Sequence, residues 1–321
     1  MIATAARPDL LARTLKSLAE CERPGLYRGT IVIENGAKRG AADVVRAAPS
    51  WLNCRYLYQQ NGNKSVALNL GLAHVPDDCL VVFTDDDVRF DSGVLTGYAS
   101  ASSDSLGHYF GGPTGVDYEQ EPPKWLKRYL PESATGWTPG DPASEALSFL
   151  GFNWAAFSAD VRRAGGFNPN RGPGAPSGST GQESDMQRRL RLHGIVSQYV
   201  PSARVWHYVP AERSTPDWVV ERLFRHGVAC AMQAPESRLR LGGCPPWTLG
   251  RVAKGIARSA VACVYRDPVF RFDARAKISY NRGLVHGFRQ RARSRSSDNT
   301  AKAGSWGYRA SRGSGVNGDS G

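Results

Sequence analysis

Residues 79–83, Cys-Leu-Val-Val-Phe, form an unbroken apolar run that ends in Thr84-Asp85-Asp86-Asp87. A run without polar alternation suits a strand covered on both faces, as in a sheet flanked by helices. The three carboxylates then stand at the carboxyl end of a central strand, the edge where open α/β sheets bind ligands. Adjacent carboxylates repel, and their pKa values rise unless a cation neutralises them. A hard divalent ion, Mn²⁺ or Mg²⁺, held by one or two of them and by substrate phosphates meets that need. The plainer reading is an acidic turn whose Asp caps the next helix. The position directly after the apolar run favours the metal.

Helical and strand patterns alternate around this run. Residues 1–5 read as a strand remnant and 8–20 as a helix, with Pro8 at its start and Leu11, Leu15 and Leu18 at helical spacing. Further strands are expected at 30–34, 54–58, 108–110, 149–157, 197–200 and 203–207. Helices are expected at 40–47, 65–73, 124–129, 159–164, 183–193 and 217–232. Residues 171–181, RGPGAPSGSTG, read as a flexible loop able to close over substrates. The order predicts an α/β fold, a Rossmann-like, mixed and mostly parallel sheet flanked by helices, with its site at the carboxyl edge.

Six segments, in order, resemble the family 2 inverting glycosyltransferases, which have the GT-A fold. Ala3-Thr4-Ala5-Ala6-Arg7 is similar to their P-T-x-N-R, with Ala6 for the usual Asn and Met1 already inside the expected first strand. Ile31-Val32-Ile33-Glu34-Asn35-Gly36 resembles V-V-D-N-G, and Asn61-Gly62-Asn63-Lys64 through Ala67, Asn69 and Gly71 resembles N-x-G-x-x-x-A-x-N-x-G. Asp85 and Asp87 match the DxD motif. Gly165-Gly166-Phe167-Asn168 resembles the G-G-F-D turn, and Gly181-Gln182-Glu183-Ser184-Asp185-Met186 with Arg189-Leu190 resembles G-E-D-x-D-L-x-x-R-L. The likeness spans residues 1 to about 232.

The resemblance implies roles. Glu183, in the place of the second acidic residue of the E-D pair, becomes the base that takes the acceptor proton, while Gln182 replaces the usual Glu. Its plainer reading is a helix N-terminal carboxylate favoured by the dipole. Thr4, Arg7, Glu34, Asn35, Lys64, Asn69, Asp85 and Asp86 would bind the donor. Asp85, Asp87 and His207, the last at a strand end, would hold the metal. Trp154 and Asp185 would face the acceptor, with Trp125 and Trp137 as further aromatic platforms. Arg213 and Arg225 are candidates for diphosphate contact, and Gly111-Gly112-Pro113 matches a family turn near the donor.

The chain has 321 residues, with 41 Lys or Arg against 29 Asp or Glu, a net of +12. Residues 251–321 hold 15 basic and 4 acidic residues, so 1–250 are nearly neutral and a nucleic-acid partner is not expected. The six cysteines show no CxxC pair and no metal-ligand spacing. No run approaches the roughly 18 apolar residues of a membrane span, and residues 1–14 lack the apolar core of a secretory signal. A cytoplasmic location with reduced thiols is the expectation. The organisation expected is a GT-A catalytic domain over 1–235, a basic helical extension over 236–293 and a disordered tail over 294–321, where core formers are scarce. In residues 248–264, Val252, Ile256 and Ala260 recur at i, i+4 and i+8, while Arg251, Lys254 and Arg258 lie on another face. Arg289, Arg291, Arg293 and Arg295 follow. Two readings stay open: peripheral contact with an anionic membrane at the inner face of the cell membrane through 248–295, or a helix packed on the catalytic domain with a solvated cationic face. An RNA-binding tail is a third, which the sparse interleaving of aromatics disfavours.

The function expected is transfer of a sugar, with inversion, from a nucleotide-diphosphate donor to a hydroxyl of a glycan or lipid-linked acceptor. Surface polysaccharide or glycolipid biosynthesis is the expected setting. The alternatives are a catalytically weak or non-catalytic nucleotide-sugar or glycan-binding relative, and a sugar-phosphate nucleotidyltransferase. The latter would show a Gly-rich basic phosphate loop near the N-terminus, which residues 3–11 are not.

Overall fold

The apolar run lies at the centre of a seven-stranded sheet in the computed structural model, which describes residues 1–103, 107–176, 181–235, 241–264 and 267–307. The first half alternates regularly: β1 (Ile2–Thr4), α1 (Pro8–Ala19), β2 (Thr30–Asn35), α2 (Ala41–Ala47), β3 (Cys54–Gln59), α3 (Lys64–Leu72) and β4 (Leu80–Asp85). Pro8 opens α1 with its φ already set for a helix, and the Asn63 side chain caps α3 by accepting from the Val66 N–H at 3.1 Å. β5 (Val88–Phe90), α4 (Val94–Ser103), β6 (His108–Gly111), β7 (Thr114–Tyr118) and α5 (Lys124–Lys127) follow. Then come β8 (Trp154–Phe157), α6 (Ser158–Arg163), α7 (Gln182–Leu192), β9 (Val196–Tyr199) and β10 (Val205–Val209).

The large sheet has the order β3-β2-β1-β4-β8-β6-β9. β1 to β4 are mutually parallel where they pair, and β8 runs antiparallel to both β4 and β6. β5, β10 and β7 form a second, three-stranded sheet. β4 is covered on both faces, as its composition requires. Val81 and Phe83 pack with Ala67, Leu68, Phe167, Met186 and Leu190, while Leu80 and Val82 meet the cluster of Leu15, Leu18, Val94 and Tyr98.

The expected strand over 149–157 is shorter. The backbone of Phe149 is paired by the side-chain amide of Gln187, which donates to its carbonyl at 3.2 Å and accepts from its N–H at 2.9 Å. Asn153 N–H bonds back to Leu150 O in a turn, so regular pairing begins at Trp154. β5, α4 and β7 lie where no element was expected.

A separate helical unit begins at Thr215. It holds α8 (Pro216–Gln233), α9 (Pro246–Val264) and α10 (Pro268–Gly307). The division therefore falls before α8, whereas the sequence pattern placed that helix in the first domain. α8 packs on α10 at van der Waals range because glycine lines the crossing: a Cβ on Gly227 would lie 2.2 Å from Tyr280 O, and one on Gly283 2.0 Å from Phe224 O. The tail expected from Ser294 is helical backbone as far as Gly307, and residues 308–321 lie outside the described residues.

Asn153 joins the two sheets of the first unit. It is buried, accepts from Tyr98 OH at 2.7 Å, and donates to Pro113 O at 3.1 Å and Ala203 O at 2.9 Å. Asn153→Ala leaves these groups without their partner in a dry place and should cost on the order of 3 kcal/mol. In urea denaturation the midpoint should fall while the slope stays constant.

Candidate functional site

β1 and β4 are adjacent, parallel and paired Ala3 to Asp85, while β2 lies on the other side of β1. Strand order therefore reverses between β1 and β4, the place where open α/β sheets bind ligands. The residues following each strand meet there. Arg7, after β1, donates from Nη2 to Asp86 Oδ1, from Nε to Asp86 Oδ2 at 3.2 Å, and from Nη1 to Asp87 Oδ2 at 2.7 Å. Thr4 Oγ1 also donates to Asp86 Oδ2. Asp86 has no solvent exposure. Burial pushes its carboxyl up to about 6, against the opposing pull of Arg7 and Thr4.

The other oxygen of Asp87, Oδ1, is buried without a hydrogen-bond partner among the described residues. His207 Nε2, on β10, lies 3.5 Å from it. His207 Nδ1 is 2.7 Å from Ser133 O, a pure acceptor, which places a proton on Nδ1 and turns Nε2 toward the carboxylate. Phe152 stacks on the imidazole with centroids 4.6 Å apart and holds the ring plane. A carboxylate oxygen and an imidazole nitrogen thus converge on one point.

Asp85 is paired with Lys64 Nζ, at the start of α3. Burial works against the charge of Lys64, but Asp85, with Glu183 and Asp87 in electrostatic range, outweighs it and raises the ammonium pKa. Glu183, at the start of α7, completes the group. Burial raises its carboxyl above the usual range; its own backbone N–H and Lys64 oppose the shift, and Asp85 adds to it. The Glu183 carboxylate rests on bare backbone, since a Cβ on Gly151 would lie 3.2 Å from Oε2.

Residues 1–229 match the family described as Glycosyltransferase like family 2. The chain belongs to that family. It is similar to the succinoglycan biosynthesis protein ExoM of Rhizobium meliloti (strain 1021), with 26% identity over 244 residues, 70% of this chain and 71% of ExoM. Among solved structures it resembles the mannosyltransferase PcManGT from Pyrobaculum calidifontis in complex with GDP-Man and Mn²⁺, with a TM-score of 0.53 at 16% identity over 89% of this chain and 85% of the other. It also resembles S. aureus TarS 1–349 in complex with UDP-GlcNAc, with a TM-score of 0.50 at 13% identity over 90% of each chain. The fold is GT-A and the chain is a glycosyltransferase.

The glycosyltransferase keeps some of the expected residues for its own architecture. Trp154 is a correction: it is 1% exposed, stacked on Phe83 at 4.5 Å and edge-on to Phe167, so no sugar ring reaches its face. Asn69, expected at the donor, uses both ends of its amide on Phe167, donating to its carbonyl and accepting from its N–H, each at 2.8 Å. Glu34 is buried as well, accepting from Tyr56 OH at 2.6 Å and from the backbone N–H groups of Arg39 and Ala41. It organises the turn after β2. Beside it, Asn35 keeps a buried Oδ1 without a hydrogen-bond partner among the described residues. Asp185 gathers Arg188, Arg189 and Arg171 at 3.2, 3.0 and 3.6 Å instead of standing open to an acceptor. Trp137 packs edge-on against Phe149, and Arg225 lies 3.7 Å from Glu221.

The Gly-rich segment is clasped at its beginning. Lys64 N–H donates to Pro173 O, Ser65 Oγ to Arg171 O, and Asn63 Nδ2 to Pro169 O. Gly174 has φ +79°, and a Cβ there would lie 1.8 Å from Gly62 O, so only glycine closes the clasp. Residues 177–180 of the expected lid lie outside the described residues. Ser133, Phe152 and Gly151 were not anticipated; Ser133 acts through its carbonyl and Gly151 through its missing side chain, which residue identity does not signal.

Asn69→Leu should leave the Phe167 N–H and C=O unpaired in the core and cost about 2 kcal/mol or more. Differential scanning calorimetry should show a lower Tm for this variant even in the absence of any donor.

Proposed function

We propose that this glycosyltransferase moves a glycosyl group from a nucleotide-diphosphate sugar to a hydroxyl acceptor with inversion, and that Glu183 is the base. The observation that carries the reading is the electrostatic group at the carboxyl end of β4: Lys64 is bound to Asp85 and feels Glu183 and Asp87 as well. A base must be unprotonated yet avid for a proton, and burial of Glu183 moves its carboxyl toward that balance. Glu183 would take the hydroxyl proton as the acceptor oxygen attacks the anomeric carbon on the face opposite the diphosphate. Asn35 Oδ1, buried and without a partner, is available to the donor nucleotide. The relative named for succinoglycan biosynthesis favours a growing polysaccharide or lipid-linked glycan as acceptor.

Asp87 and His207 fit a divalent cation, because a buried carboxylate oxygen without a hydrogen-bond partner among the described residues faces imidazole Nε2, two atom types that ligate such ions. Bound there, Mn²⁺ or Mg²⁺ would supply neutralisation of the leaving diphosphate. Among the described residues no group of three or more His, Cys, Asp or Glu could hold a metal, and Asp85, expected as a third ligand, is paired with Lys64 instead. A cytoplasmic setting with reduced thiols is part of this reading. Among the described residues no helix is long and apolar enough to cross a membrane.

Glu183→Gln should lower kcat by roughly 100-fold or more, while thermal-shift titration with UDP- and GDP-sugars plus Mn²⁺ still shows donor binding. Wild-type turnover in this variant would remove Glu183 from the role. A base loses activity as pH falls through its pKa. Lys64→Met removes a cation that lowers that pKa, so the acid limb of kcat/KM should move to higher pH. Asp87→Asn should abolish the effect of Mn²⁺ on donor-dependent thermal shift without unfolding the protein.

A further inference from the structure

α9 is turned inside out relative to a surface helix of a water-soluble domain. Among its described side chains, the positions it buries are Thr248, Gly255 and Ala262. Gly255 lets Asn281 approach, and Asn281 Nδ2 donates to Arg251 O at 3.0 Å. The opposite face carries the large apolar side chains: Leu249 is 47% exposed, Ile256 61%, Val261 48% and Val264 82%. At 100° per residue these four fall within one sector, with Ala253, Ala257 and Ala260 between them. Lys254, Arg258 and Arg251 form one rim of the sector, together with Trp247, which is 48% exposed and carries Arg251 beside its ring. Core packing explains none of these outward apolar positions.

Charge decides what covers them. Residues 215–321 hold 19 Lys or Arg and 7 Asp or Glu, so the helical unit carries the full +12, while residues 1–214 hold 22 of each sign. A second copy laid on this face would bring two strongly cationic units together. A sheet of anionic headgroups over hydrocarbon complements both the cations and the apolar sector. The Trp on the rim suits the depth at which headgroups meet the acyl chains.

We propose that the outward face of α9 is a monotopic membrane-docking surface, inserting Leu249, Ile256, Val261 and Val264 among the acyl chains of an anionic leaflet, with Arg251 and Lys254 at headgroup phosphates. This stands on the helical unit alone and is independent of the catalytic reading. Its consequence is that the enzyme works at a bilayer surface, where a lipid-linked acceptor is confined to two dimensions.

The test is co-sedimentation of the full-length protein with vesicles of phosphatidylcholine alone and of phosphatidylcholine with one-third phosphatidylglycerol. Binding is expected to the anionic vesicles, weakening as salt is raised. The double variant Leu249→Asp/Ile256→Asp should bind at least tenfold more weakly at an unchanged Tm, because both positions are open to solvent. Lys254→Glu should weaken binding by about fivefold or more. Equal binding to neutral vesicles, or undiminished binding by the double variant, would overturn the proposal. So would a wild-type dimer that the double variant dissolves with no vesicle binding by either, or tight RNA binding by both proteins in place of vesicle binding.

Discussion

The buried contact between Asp86 and Arg7 is the constraint on which the site depends. A carboxylate with no solvent exposure is tolerable only with its lone pairs filled, and Arg7 with Thr4 fills them across the seam between β1 and β4. Arg7 has donors to spare, so the same guanidinium pins one oxygen of Asp87. The other oxygen is thereby turned toward His207 and left without a hydrogen bond. Removing Arg7 would strand a buried charge, typically a loss of about 3–5 kcal/mol, and would also free Asp87 to rotate. Stability and site geometry are here the same interaction.

This arrangement resolves the repulsion that three consecutive aspartates create. Each has a different neighbour: Lys64 for Asp85, Arg7 and Thr4 for Asp86, Arg7 and His207 for Asp87. The aspartates therefore do different work despite their adjacency. Asp86 ties β4 to β1, Asp85 holds the cation that tempers Glu183, and Asp87 keeps a buried oxygen without a hydrogen-bond partner among the described residues. Lys64 couples the strand end to α7, so the basicity of Glu183 depends on a residue on another element. The clasp of residues 169–174 on 62–65 explains how that lysine is kept in place: its own backbone N–H is tied to Pro173.

What was legible in the sequence was what short-range pattern encodes. The run ending in Asp85-Asp86-Asp87 carries both its burial and its polar terminus within nine residues, and β4 forms where it was expected. β5 and β7 were invisible because they gain order from β10, more than eighty residues away, and neither shows a period of its own. Trp154 and Asn69 looked like ligand contacts because a Trp or an Asn near a motif has the right chemistry. Burial is a tertiary fact, and the amide of Asn69 matches two backbone groups 98 residues distant. Ser133 and Gly151 contribute a carbonyl and an absence, for which sequence chemistry has no letter.

The helical unit shows the same limit in sharper form. Periodicity in 248–264 marks an amphipathic helix, and an apolar stripe is ordinarily taken as the inward face. Here the crossing is made by small residues: Gly255 in α9, and Gly227 against Gly283 between α8 and α10. Close backbone approach lets dispersion contacts and hydrogen bonds such as Asn281 to Arg251 O hold the helices without large side chains between them. Ile256 is consequently released from the interior, although its spacing from Val252 reads as core. The period of a stripe identifies the helix, but the size of the residues opposite it decides which way the stripe faces. In α9 those residues are Thr248, Gly255 and Ala262, and they make the inward face too small and too polar to be anything but a helix contact.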